Sequence, residues 1–119
     1  MKHSPGLRLT RAEFAKLVRA AIDDLPVAFR RRIVNLAFLI KRESPSGQRL
    51  LGLYQGVPFS RRDGGYHGAL PDRITLFQRP IERCCRNKAA AVALVRRVIL
   101  HEVGHYFGFG EAELRKWGY

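Results

Sequence analysis

Apolar residues recur at Phe14, Leu17, Val18, Ala21, Ile22 and Leu25, the three-and-four spacing of a single helical stripe. Thr10 and Glu13 stand at the two positions of a capping box, and Leu9 and Phe14 at those of a hydrophobic staple, so the spacing predicts a helix that starts just after Thr10. Pro26 lacks the amide hydrogen that would continue it and opens a short turn through Arg31. The pattern then changes. Ile33 to Ile40 is an apolar, β-rich run, expected as a buried strand, and it stops at the turn-forming cluster from Lys41 to Gly47. Leu50 to Pro58 reads as a second strand, with Gly52, Gly56 and Pro58 serving its end and turn. Phe59 to Leu70 reads as a polar, Gly- and Arg-rich surface loop. Arg73 to Phe77 alternates as a third strand, which Pro80 closes.

The last third returns to helical spacing. Asn87 is an N-cap candidate for an Ala- and Leu-rich segment from Lys88 to Leu100, which runs directly into His101, and Gly108 suits the left-handed residue just past a helix end. Glu111 to Trp117 forms one more short helix. The order is helix, strand, strand, loop, strand, long helix. It predicts an α+β fold: a small, mostly antiparallel or mixed sheet packed on an N-terminal helix and a long C-terminal helix.

The chain length of 119 residues fits one domain over 1–119, with 1–9 as a flexible N-terminus. With 46% hydrophobic and 27% charged residues, it does not fall in the disordered, collagenous or disulfide-rich classes. Charges within RAEFAKLVRAAIDDL interrupt any signal-peptide core, and no uncharged apolar run approaches the roughly 20 residues of a membrane span. Cys84 and Cys85 are adjacent, too close for an ordinary loop-closing disulfide or a zinc thiolate pair, which fits structural cysteines in a reduced compartment. A cytoplasmic protein with no membrane contact is expected. The net charge of +12 adds one feature. Arg30 to Arg32 and Arg61 to Arg62 are clusters within a basic residue set spread along the whole chain, which suggests nonspecific binding of polyanions or nucleic acid.

The chemistry concentrates in HEVGHYFGFGE, residues 101 to 111. Four residues apart on a helix, His101 and His105 share one face, and two imidazole nitrogens on that spacing reach one ion at about 2.0 to 2.1 Å. Glu102 is turned about 100° around the axis, beside an ion rather than on it, where it serves as the general base for a water acidified by zinc. Two histidines and a glutamate at the end of a buried helix need partners, and a metal supplies one. A catalytic zinc takes a third protein ligand. Gly108 lets the chain reverse, and Glu111 follows three residues later, in the H-E-x-x-H-x-x-G-x-x-ligand spacing of the metzincins, with Glu in place of that pattern's His. Glu111 is therefore the first choice, with Glu113 and His67 as alternatives.

Three blocks, Leu50 to Pro58, Leu70 to Phe77 and His101 to Gly108, resemble in order and spacing the small bacterial zincin-like metallopeptidase family, the minimal zincins. The resemblance runs from about Thr10 to the end of the sequence. It implies a compact α+β zincin core, a helix carrying His101 and His105 as zinc ligands with Glu102 as base, and an acidic third ligand after the glycine. The family usually has Asp where Glu111 stands. A zincin would also bind extended peptide on an antiparallel edge strand beside the catalytic helix, for which Arg73 to Phe77, with Arg73 and Thr75, is the candidate. Tyr66 or Tyr106 is a candidate for stabilising an oxyanion. The expected function is zinc-dependent hydrolysis of peptide bonds in a peptide or protein substrate. The alternative is a non-catalytic zinc-containing binding module whose basic surface docks nucleic acid or an acidic protein.

Overall fold

The computed structural model describes residues 6–58 and 71–119. Among the described residues, five helices and three strands follow in the order α1 (Arg11–Asp23), α2 (Val27–Arg30), β1 (Leu36–Lys41), β2 (Gly52–Gln55), β3 (Asp72–Phe77), α3 (Gln78–Arg83), α4 (Lys88–Tyr106) and α5 (Glu111–Lys116). The sheet order is β1-β3-β2, with β1 parallel and β2 antiparallel to β3. The expected α+β architecture with a small mixed sheet is the one found.

Helix α1 starts where the capping box places it. The Thr10 hydroxyl accepts the Glu13 amide at 3.0 Å, and the Glu13 carboxylate accepts the Thr10 amide at 2.7 Å. Its stripe of Phe14, Leu17, Val18 and Ala21 is buried. It packs on α4, which presents Ala91, Val95, Val98, Ile99 and Val103 to the core and lies across β2 and β3. Ile74 and Leu76 of β3 complete that core and are fully buried. Each large side chain so buried contributes about 1.5–3 kcal/mol. The central strand thus holds the sheet while α4 holds the site.

Several sequence expectations need correction. Strand β1 starts at Leu36 instead of Ile33, because Asn35 takes a left-handed conformation with φ 56°, and β1 is only half-buried because it borders the sheet. Strand β2 is shorter than the Leu50–Pro58 stretch; it stops before Gly56, whose φ of 154° is open to glycine, and a Cβ there would come within 2.3 Å of the Asp72 side chain. Strand β3 is not an edge strand. It lies between the other two, and five of its six residues are buried, as a strand paired on both sides requires. Pro80 does not simply close that strand but sits in the first turn of α3, where the missing amide hydrogen costs no helical bond. The surface loop expected over Phe59 to Leu70 lies outside the described residues, as do residues 1–5 of the stretch expected to be flexible; Leu9, at the end of that stretch, is buried. Cys84 and Cys85 form no disulfide.

Glu82, which the sequence pattern did not single out, fastens α3 to the segment before α1. Its carboxylate accepts the Leu9 amide at 3.0 Å and the Gln78 amide nitrogen at 2.9 Å, and pairs with Arg79. Gln78 in turn donates to the Leu9 carbonyl at 3.0 Å. Burial acts to raise the Glu82 carboxyl, but the donors from Gln78, Arg79 and Leu9 outweigh it and hold the group below the usual carboxylate range. A carboxyl depressed in the fold lends stability that is present above its unfolded pKa and lost as pH falls through the folded value. Glu82→Gln is therefore expected to lower unfolding free energy near neutral pH by about 1–3 kcal/mol. In urea melts at falling pH the gap to wild type should close below the carboxylate range; a gap independent of pH would contradict the ionised role.

Candidate metal centre

Helix α4 ends at Tyr106 with Phe107 as its C-cap, and Gly108 follows at φ 96°. The Gly108 amide donates to the His105 carbonyl at 2.9 Å and the Phe109 amide to the Gly104 carbonyl at 3.0 Å, the two bonds of a Schellman motif. That motif turns the Phe109 carbonyl back onto the helix, where it accepts the His105 Nδ1 hydrogen at 2.9 Å. A carbonyl only accepts, so Nδ1 carries a proton in this contact and Nε2 is the ring nitrogen left to face another partner. Helix α5 ends in the same way. Gly118 stands at φ 82°, its amide donates to the Arg115 carbonyl at 3.1 Å, and the Tyr119 amide donates to Leu114 at 2.8 Å. The Tyr119 backbone oxygen then faces His101 Nδ1 at 3.3 Å. Two successive glycine turns thus hand a backbone oxygen to each histidine and leave both Nε2 atoms facing one point.

Helix α5 supplies the third group. His101 Nε2 lies 3.2 Å from His105 Nε2, and Glu111 Oε1 lies 3.1 Å from the first and 2.8 Å from the second. His101, His105 and Glu111 are the cluster of possible metal donors among the described residues. Donors about 2.0 Å from a common tetrahedral ion stand roughly 3.3 Å apart, so these separations fit zinc, and two imidazoles with one carboxylate are a donor set zinc accepts. Hydrogen bonding to His101, partly opposed by burial and reinforced by His105, holds the Glu111 carboxyl below its ordinary range and keeps it ionised.

Of the two other residues considered as third ligand, Glu113 is occupied elsewhere: its carboxylate accepts the Gly110 amide at 3.0 Å, capping α5. His67 lies outside the described residues, as does Tyr66. Glu102 lies between the donors and β2, where its Oε1 accepts the Tyr54 amide at 2.9 Å. Burial pushes its carboxyl up, against the pull of His105, the Tyr54 amide and His101. Gly52 permits this approach of strand to helix; a Cβ there would come within 2.6 Å of Val98 and 3.4 Å of the Glu102 side chain.

The remaining sequence candidates are not brought to the centre. Ile74 and Leu76 face the core, so Arg73 and Thr75, alternating with them on the central strand, turn to the opposite face of the sheet. Thr75 is buried beside Leu53 and Gln55, on the side away from α4. Tyr106 is also buried: its hydroxyl accepts the Val34 amide and donates to the Val34 carbonyl, both at 2.9 Å. Its oxygen is committed to the loop before β1 rather than to a reacting group. The strand bordering α4 is β2, and an open groove of about 430 Å³ runs beside it, lined by Leu51, Leu94, Arg97, His101, Glu102 and Glu111.

Two residues escaped sequence reasoning. Gly104 lies against Leu114, and a Cβ on it would come within 2.4 Å of that side chain. Leu114 is fully buried, so it has little room to retreat. Tyr54 contributes through its backbone amide, which leaves no signature in side-chain type.

A mixed α+β domain with two imidazoles and a carboxylate convergent at the end of a helix, and a second carboxylate on the neighbouring position, defines a zincin-type protein. The zincin-like metallopeptidase family model matches residues 23–119, and the chain belongs to that family. A search of curated proteins finds no match. Zinc is the metal typical of the family.

Because Gly104 sets how closely α5 approaches, Gly104→Val is expected to move Glu111 away from the histidines and raise the zinc dissociation constant by about 10–100-fold in chelator competition. An unchanged constant in a folded variant would show that α5 does not depend on that contact.

Proposed function

We infer that the chain is a zinc-dependent peptidase, with His101, His105 and Glu111 as the metal ligands and Glu102 as the general base. Zinc held there supplies a Lewis acid that makes water acidic near neutral pH and polarises a peptide carbonyl. His101 and His105 keep their Nε2 lone pairs turned to the ion because Nδ1 of each is turned to a backbone oxygen. Glu102 takes the proton from the attacking water and returns it to the departing amine. A carboxyl raised by burial is suited to that exchange, since its proton affinity lies nearer to working pH than that of an exposed glutamate. The Tyr54 amide fixes the carboxylate between strand and helix.

The observation that carries this reading is Glu102. It is half-buried beside three metal donors, on the helix face toward the groove, where packing alone gives no reason for an acid. An extended peptide laid beside β2 would bring its scissile bond to this point by strand addition, so the edge-strand role expected for Arg73 to Phe77 passes to β2. The polar and apolar walls of the groove, Arg97 beside Leu94 and Leu51, accept a mixed polypeptide surface.

Glu102→Gln keeps an oxygen for the Tyr54 amide and removes the base. It is expected to leave zinc content unchanged and to lower the rate of cleavage of a quenched-fluorophore peptide, or of an unfolded protein, by about 10²–10⁴-fold. Equal rates for variant and wild type would remove Glu102 from the chemistry.

A further inference from the structure

A second concave surface, lined by arginines, lies around the start of α1 and the end of β1. Two adjoining grooves, about 210 and 230 Å³, share Arg42 and Arg79 as walls. The first is also lined by Arg8 and Arg83, the second by Arg11, and the acids between them are Glu43 and Glu82. Both acids are spoken for: Glu43 pairs with Arg83, and Glu82 with Arg79. Among the described residues, Arg8 and Arg42 make no salt bridge and no side-chain hydrogen bond, and the buried Arg79 Nε has no hydrogen-bond partner. Five guanidinium groups thus face two neutralised carboxylates across one connected cleft, and a buried donor is left without an acceptor.

We propose that this cleft binds the phosphate backbone of a nucleic-acid strand. Guanidinium forks match phosphate oxygens two at a time, and two grooves joined through Arg42 and Arg79 accept successive phosphates of one strand. None of the lining residues is aromatic, so no base is stacked, and binding is independent of sequence. The cleft shares no residue with the groove over His101 and Glu102, so this role is separate from the metal centre and stands whether or not the chain cleaves peptides.

The test is fluorescence anisotropy of labelled oligo-dT and oligo-dA with the full chain over a salt series. It compares wild type with Arg8→Ala/Arg42→Ala and with Arg30→Ala/Arg31→Ala, which removes the same charge from the exposed end of α2. Both pairs are exposed, and melting curves confirm folding. The expected result is equal affinity for the two oligonucleotides. Arg8→Ala/Arg42→Ala should lose about tenfold or more at about 0.1 M salt, with the log–log salt slope shallower by about 1.4, and the control pair should change less than about threefold. Equal weakening by both pairs would mean diffuse surface charge and overturn the site. So would absence of oligonucleotide binding at low salt, whether or not inorganic pyrophosphate binds by calorimetry; pyrophosphate binding alone would identify a small-anion pocket instead.

Discussion

The absence of a side chain at Gly104 is the constraint on which the site depends. Leu114 fills the space a Cβ would take, so the short helix α5 lies against the last turns of α4 instead of standing off it. The left-handed Gly108 makes the reversal possible, and the apolar contact fixes its depth. Everything else in the centre follows from that closure: Glu111 arrives beside two imidazoles, Phe109 and Tyr119 turn backbone oxygens to the histidine Nδ1 atoms, and Glu113 is left to cap α5. A donor cluster of this kind is assembled by two glycine turns and one close packing contact.

Elements with a local physical signature were legible in the sequence. The capping box at Thr10 and Glu13, the stripe of α1, the Asn87 cap and the glycine after α4 each announce a bond made within a few residues, and each is found in the structure. The histidine pair and the nearby acid were legible for the same reason, since helical spacing dictates which residues share a face. The less accurate expectations concern long-range placement and, at Asn35, Gly56 and Pro80, local backbone conformation. Arg73 and Thr75 alternate like an edge strand, but sheet order is set by packing of distant segments, and the strand became the centre of the sheet. Helix α3 was hidden by Pro80, which reads as a stop unless it falls in a first turn. Glu82 gives no local signal because its partners include Leu9, which is 73 positions away.

Charge is distributed in the fold with a division the sequence does not display. The donor cluster at the end of α4 gathers acid around two histidines, whereas the cleft beside α1 and α3 gathers arginines whose acidic neighbours are already paired. A net charge of +12 states only an excess; the fold decides where the excess can act.

The central claim is that three residues, brought together by α4 and α5, hold one zinc ion. It is tested most directly by zinc per chain, measured by elemental mass spectrometry after dialysis against zinc and then against zinc-free buffer, for wild type, Glu111→Ala and Glu113→Ala. The account predicts about one zinc per chain in wild type and in Glu113→Ala, and much less in Glu111→Ala. Zinc absent from wild type, or retained equally by Glu111→Ala, would contradict it.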